Sequence, residues 1–216
     1  MRGITKGPEP ASLIAHRQNR YSDYDNYASK DDLRRALVAE QSGLCCYCMG
    51  RIRSESTAMK IEHWQSQLRY QDRQLAYGNL LGACLGGHGL PEHLQHCDTR
   101  KGDADLEWNP ADPVNHIETR VRYETDGTIR SDELVFDGQL NDVLNLNLAH
   151  IRNNRKSVLT AVLDWFKEER RKLMGPLPRT RIETEISRRT NGAGSLAPYC
   201  QVAVWWLRQK LARMAR

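Results

Sequence analysis

The stretch KIEHWQSQLRYQDRQLAYGNLLGAC, residues 60–84, contains a glutamate and a histidine side by side, Glu62 and His63. Asn79 follows the histidine by sixteen residues, and Cys84 lies five residues further on. The first part, with the preceding residues TAM, predicts a short β-strand that ends at His63, and GNLLGAC predicts a second extended piece. A soluble chain does not need Glu-His at the end of an apolar run, so these two residues indicate a functional site.

Cysteines lie on both sides of this stretch and indicate a metal site. Cys45 and Cys48 form a C-x-x-C pair, a spacing at which two thiolates reach one zinc ion from a tight turn. Cys84 and Cys97 form a second pair with 12 residues between them. The two pairs predict a four-thiolate structural zinc site, with His96 and Cys46 as rival ligands.

The residues around the Glu-His pair predict phosphodiester chemistry. Histidine is the side chain best suited to accept a proton near neutral pH, so His63 is the candidate general base. Neighbouring residues of a strand point to opposite faces, so Glu62 is badly placed to pair with His63 directly. It could instead share a hard divalent cation, magnesium or manganese, with Asp98, which follows Cys97 immediately.

Three further polar residues complete the candidate site. The amide of Asn79 is suited to hold His63 or its loop in place. Arg100 and Lys101 follow the candidate metal ligand Asp98 closely, and they are expected to contact the phosphates of a nucleic acid.

The rest of the chain predicts an α+β protein with a mostly helical frame. Residues 1–29 are expected to be an extended leader. The pattern of polar caps and apolar repeats predicts helices over residues 31–42, over 140–172 and in the final apolar segment that begins at Tyr199. A hairpin is expected around Asp126-Gly127, and the glycine-rich segment LGGHGLPEHLQH is expected to be a loop, with a helix beginning near Asp98.

Charge and composition narrow the class of protein. The chain contains 32 Lys and Arg and 27 Asp and Glu residues, a net charge of +5. Residues 150–216 contain 15 of the basic and 5 of the acidic residues, a net charge of +10. Residues 1–149 therefore have a net charge of −5. A basic C-terminal third suits a polyanion such as nucleic acid, although each basic run alone is typical of a solvated helix face. No apolar run reaches the ~18 residues of a membrane span, and no apolar signal core is visible, so the predicted compartment is the cytoplasm.

The order of residues in this chain is C-x-x-C, acid-His, Asn, Cys, and then a Cys followed by a polar residue and a Lys-Gly. This order resembles the motif of HNH nucleases. The resemblance implies a ββα-metal core that cuts phosphodiesters, with His63 as general base and Asn79 bracing the loop. It implies a catalytic ion on Glu62 and Asp98, and zinc on the four cysteines. This chain departs from the common pattern in having Glu62 for Asp, Asp98 for His or Asn, and an insertion within the second cysteine pair.

Several separated motifs resemble one HNH branch, the nuclease subunit of Septu-type antiviral systems, which is also found with retrons (PtuB-like). They are KGPEPASL, IEHW, HCDTRKGD, LNLNLAHIRNNRKSVL and PYCQVAVWWLRQKL. This resemblance implies a role in phage defence and an ATPase partner of the ABC/SMC type. With retrons, it also implies a reverse transcriptase and its DNA–RNA product as a further restraint.

The predicted organisation has three segments. Residues 1–42 form the leader and first helix, residues 43–110 the zinc-containing nuclease core, and residues 111–216 a hairpin and basic helices that dock a partner or nucleic acid. The alternative is a zinc-knuckle module that binds nucleic acid or a partner without chemistry. Such a module needs the cysteines and the basic residues but not Glu62, His63 or Asp98.

Overall fold

A computed structural model describes residues 1–192 and 194–214, and it confirms the α+β class. The strands are β1 (Lys60–His63), β2 (Leu80–Ala83), β3 (Arg122–Tyr123) and β4 (Ile129–Arg130). The helices are α1 (Ala11–Arg17), α2 (Lys30–Glu40), α3 (Cys97–Lys101), α4 (Leu134–Gly138), α5 (Ala149–Leu173), α6 (Arg179–Thr190) and α7 (Cys200–Met214). Short 3₁₀ turns occur at Gln71–Arg73, Tyr77–Asn79, Glu92–Leu94, Pro113–Asn115 and Ile117–Thr119.

Both extended segments that the sequence pattern predicts are strands, β1 and β2. They form an antiparallel pair, and α3 follows them along the chain. His63 faces Leu80 and Lys60 faces Ala83 in the register. All four residues of β2 are buried, which explains why this strand is a continuous apolar run instead of an alternating one. The pair thus places His63 and Cys84 at opposite ends of the small sheet.

Helix α2 covers β2, and one glutamine joins the two elements. Leu33 and Leu37 of α2 are completely buried. The Gln41 side chain, just past the helix, donates to the carbonyls of Leu44 and Gly82 and accepts a hydrogen bond from the Gly82 N–H. These bonds satisfy the free edge of β2, where an unpaired buried backbone group would destabilise the fold.

The hairpin expected around Asp126-Gly127 is confirmed as β3–β4. The Asp126 carboxylate accepts a hydrogen bond from the backbone N–H of Thr128, and Gly127 has φ 87°. A Cβ at Gly127 would lie 2.1 Å from the Arg152 carbonyl oxygen, so the turn packs directly against α5. Glycine is required there both for the backbone conformation and for the close approach.

The single helix expected over residues 140–172 is interrupted. A π-helical turn spans Gln139–Val143, and α5 begins only at Ala149. In between, Asn145 adopts φ 47° and donates to the carbonyls of His93 and Gln95, while Asn147 bonds the backbone of Ile129. Asparagine amides that bond distant backbone groups compete with helical hydrogen bonding, which explains the break.

The sequence pattern does not predict α1, α4 or α6. The leader is not extended throughout, because α1 forms directly after Pro10 and buries Leu13. Helix α6 is mostly polar and buries Ile182 and Glu185. The Glu185 carboxylate pairs with Arg188 and Arg189 on the same helix. The apolar periodicity of α1 and α6 is too weak to reveal them.

The hydrophobic core draws on all three predicted segments. One continuous cluster of buried side chains includes Leu37 on α2, Leu80 on β2 and Val202 on α7. The helices within residues 1–192 and 194–214 are all too short or too polar to cross a membrane.

We expect replacement of Arg155 by methionine to lower the free energy of unfolding by about 3 kcal/mol. The buried guanidinium of Arg155 donates to Gly127 O, Leu146 O and Asn147 Oδ1, and the variant removes the guanidinium donor from the two buried carbonyls. Chemical denaturation measures the change. The matched control is Arg152→Met on the same helix, because the Arg152 side chain is 41% exposed. An equal loss in both variants would contradict this role of Arg155.

Candidate metal centre and carboxylate–histidine site

Four cysteines form a cluster that could hold a metal ion. The sulfur atoms of Cys45, Cys48, Cys84 and Cys97 all lie within 4.8 Å of one another. The Cys45–Cys97 and Cys48–Cys84 sulfur pairs are each 3.8 Å apart. A tetrahedral zinc ion with Zn–S bonds of about 2.3 Å requires sulfurs about 3.8 Å apart. The donor type and the spacing therefore fit a structural zinc ion.

Three local structures position the four sulfurs. A turn after α2 carries Cys45 and Cys48, and it is closed by a hydrogen bond of 2.8 Å from the Cys45 N–H to the Gly50 carbonyl. Cys84 directly follows β2, and Cys97 is the first residue of α3. Burial acts to raise the pKa of the Cys45 thiol, but hydrogen bonds from the neighbouring thiols outweigh it and hold this pKa well below its usual range.

The rival ligands His96 and Cys46 lie outside the cluster of four sulfurs. Nδ1 of His96 is 3.2 Å from the Cys97 sulfur and 4.0 Å from the Cys84 sulfur, so the imidazole borders the cluster. The backbone N–H of Cys46 bonds the Gly82 carbonyl, which holds this residue against β2. The insertion within the second cysteine pair is closed by a 2.9 Å hydrogen bond from His96 N–H to Gly86 O.

Glu62 is deeply buried and lies among charged groups. Its Oε1 accepts a 2.6 Å hydrogen bond from the Tyr47 hydroxyl and lies 2.9 Å from the Lys101 ammonium. Burial, followed by the adjacent Asp98 carboxyl group, raises the pKa of Glu62 well above its usual value, and Lys101 opposes this rise. The structure therefore brings together Glu62 and Asp98, the two carboxylates expected to share a cation.

Asp98 has a second lysine as its partner. Its Oδ2 lies 3.3 Å from the ammonium of Lys60, at the start of β1. The Asp98 side chain is 19% exposed, so this carboxylate is more open to solvent than that of Glu62. Both carboxylates offer hard oxygen ligands, the type that magnesium and manganese prefer.

His63 is held by a backbone carbonyl and an aromatic ring. Its Nε2 is 3.0 Å from the carbonyl oxygen of Gln74. A carbonyl only accepts hydrogen bonds, so Nε2 carries the proton and the neutral ring keeps Nδ1 as its basic atom. The Tyr24 ring contacts the imidazole edge-on, with 4.4 Å between ring centroids. Burial lowers the pKa of His63 below its usual value.

Asn79 lies at the end of the loop that follows His63. Its Oδ1 accepts a 2.8 Å hydrogen bond from the Gln65 N–H, and its Nδ2 donates to the carbonyls of Gln65 and Arg73. Asn79 therefore ties both ends of the loop together instead of bonding the imidazole of His63.

The two expected phosphate-binding residues differ in their surroundings. Arg100 is partly exposed and pairs with the exposed carboxylate of Glu92. Lys101 is fully buried, and its ammonium donates to the His63 carbonyl at 3.0 Å as well as pairing with Glu62. The phosphate contact expected of Lys101 is thus not available to it in this structure, because its helix turns the side chain inward onto β1.

The site also contains four residues that the sequence pattern does not single out: Tyr24, Tyr47, Lys60 and Gln74. Tyr47 lies within the C-x-x-C turn, so its position between two candidate ligands is a signal that could have revealed it. Lys60 shares a short strand with Glu62 and His63. Tyr24 and Gln74 lie in irregular segments and carry no such signal.

Comparison with known proteins adds no family to this description. No protein-family model matches the chain, and no curated protein is significantly similar to it in sequence. Any function must therefore be inferred from the cysteine cluster and the carboxylate–histidine site.

We expect the purified protein to contain one zinc ion per chain, and Cys84→Ser to lose most of it, because three thiolates leave the site open. Metal content by mass spectrometry measures this. Cys46→Ser is the matched control, since Cys46 is a buried cysteine outside the cluster of four, and His96→Gln tests the rival ligand. Loss of zinc from either control as complete as from Cys84→Ser would contradict the assignment.

Proposed function

We propose that the protein is a metal-dependent nuclease of the HNH type that hydrolyses phosphodiester bonds of DNA or RNA. The observation that carries this proposal is the imidazole of His63. Its Nε2 is occupied by the Gln74 carbonyl, its Nδ1 is left basic, and its strand also carries one of the two paired carboxylates. Zinc modules that only bind nucleic acid need no such base and no carboxylate pair.

His63 is proposed to act as the general base. With the proton on Nε2, the Nδ1 lone pair can take a proton from a water molecule that attacks phosphorus. The Gln74 carbonyl then stabilises the imidazolium that results, because it accepts a hydrogen bond from Nε2–H in both protonation states. The lowered pKa keeps the ring in its basic form at neutral pH.

Glu62 and Asp98 are proposed to hold the catalytic cation. Their donor set fits magnesium or manganese, because the two carboxyl groups are adjacent and differ in exposure, which leaves the Asp98 side open to water and substrate. A bound divalent cation would stabilise the negative charge that develops on the leaving oxygen. Tyr47 and Lys101 orient Glu62, since both donate to the same oxygen of its carboxylate.

The zinc cluster and Asn79 are proposed to keep these groups in place. Cys97 precedes Asp98 directly, so a zinc ion would fix the start of α3 against the turn that carries Tyr47. Asn79 closes the loop between β1 and β2, and this loop supplies the Gln74 carbonyl. The positions of the reacting groups then depend on the scaffold and not on the substrate.

The biological role is proposed from the resemblance to Septu-type and retron-associated systems. In that role the protein is the effector of an anti-phage system, and an ATPase of the ABC/SMC type restrains or steers its nuclease. A reverse transcriptase with its DNA–RNA product is proposed as a further partner where a retron is present. Exposed apolar side chains on α4, Leu134 and Val135, are compatible with a protein partner.

We expect new nucleic-acid ends in infected cells that contain the protein and the neighbouring ATPase, and no new ends with His63→Ala. Sequencing of both RNA and DNA ends identifies the substrate, and omission of the ATPase tests its role. His88→Ala is the matched control, because His88 is an exposed histidine of the loop before Cys97. Intact defence in the His63→Ala strain, without new ends, would favour the non-catalytic zinc module.

We expect the cleavage rate to fall at acidic pH with a midpoint below 6.5, the usual pKa of histidine. Protonated His63 cannot accept a proton, so activity is lost as the pH falls through its pKa, and burial has moved that pKa downward. A pH–rate profile at saturating Mn²⁺ measures the midpoint. A midpoint above about pH 7 would contradict a general base in this environment.

A further inference from the structure

Two lysines lie directly on the two carboxylates that are proposed to bind the catalytic cation. The Lys101 ammonium is 2.9 Å from Glu62 Oε1, and the two side chains are 0% and 2% exposed. The Lys60 ammonium is 3.3 Å from Asp98 Oδ2, with side chains 29% and 19% exposed. Each carboxylate therefore already has a cation as its partner, supplied by the chain itself.

The two lysines oppose the entry of a further cation. Two carboxyl groups lie against two ammonium groups, so a second cation at either carboxyl group meets the charge of its lysine. A divalent cation that enters adds two positive charges to this partly buried cluster beside its two lysines, and an uncompensated buried charge is strongly unfavourable. The phosphodiester groups of a nucleic acid are anions that can restore the balance, because each contributes one negative charge.

We propose that Lys60 and Lys101 make the binding of the divalent cation depend on nucleic acid, so that metal and phosphate enter the site together. This inference rests on the proposed nuclease function and concerns the control of that same site. By linkage, the metal must strengthen nucleic-acid binding by the same factor by which nucleic acid strengthens metal binding. The consequence is a site that binds the metal more weakly until a nucleic acid arrives.

The two lysines have different parts in this coupling. Lys101 is enclosed, and its second bond to the His63 carbonyl holds it on β1, so it keeps its charge in the site. Lys60 is partly exposed on a flexible side chain, so it can leave Asp98 and follow a phosphate when metal enters. Lys60 is therefore the residue whose removal uncouples metal from nucleic acid without opening a cavity in the core.

The test measures Mn²⁺ binding by electron paramagnetic resonance with the full, zinc-loaded chain carrying His63→Ala, which prevents cleavage. The probes are Mn²⁺ alone and Mn²⁺ with either a short DNA duplex or a short single-stranded RNA. Whichever of the two nucleic acids binds the protein, we expect it to raise the Mn²⁺ affinity about tenfold or more. Adding Lys60→Met should strengthen Mn²⁺ binding without nucleic acid about fivefold and reduce the effect of nucleic acid.

The matched control is Lys156→Met, because Lys156 is an exposed lysine on α5. The inference would be overturned if a nucleic acid that binds the protein left the Mn²⁺ affinity unchanged. It would also be overturned if Lys60→Met and Lys156→Met changed the Mn²⁺ affinity equally. Cleavage by the wild-type chain is measured in parallel. Cleavage without coupling overturns the inference alone, whereas coupling without cleavage supports the inference and contradicts the proposed nuclease function.

Discussion

The convergence of four cysteine sulfurs is the constraint on which the candidate site depends. They come from the turn after α2, the end of β2 and the start of α3, three places that share little regular secondary structure. Strands of four residues and a helix of five cannot hold their relative positions through backbone hydrogen bonds alone. A metal ion bound to all four sulfurs would hold these short elements together.

The charges of the site follow from this same convergence. Tyr47 and Asp98 are immediate neighbours of candidate zinc ligands, and both face Glu62. Lys101 lies one helical turn beyond Cys97, which directs its side chain onto β1 rather than to solvent. The cysteine cluster and the carboxylate–histidine site are thus two faces of one small unit, and we expect a change in either to alter the geometry of the other.

Much of this unit could be predicted from the sequence, because its signals are local. Strand β1 has an apolar run that ends at His63, and the C-x-x-C spacing identifies Cys45 and Cys48 without any knowledge of the fold. Contacts between distant segments that carry no shared ligand signal could not be predicted. Whether Lys101 faces solvent or Glu62 depends on how α3 packs against β1, and Asn145 breaks the expected long helix because its partners lie some fifty residues earlier. Sequence periodicity carries no information on such contacts.

The carbonyl of Gln74 has a consequence for how such a site evolves and how it could be transplanted. It sets the tautomer of His63 through the main chain, so any residue that preserves the local backbone supplies the same oxygen. The position is therefore free to vary in identity, and an alignment of relatives would not mark it. A designer who grafted only the Cys, Glu, His, Asn and Asp side chains onto a new scaffold would leave the imidazole without its orienting group.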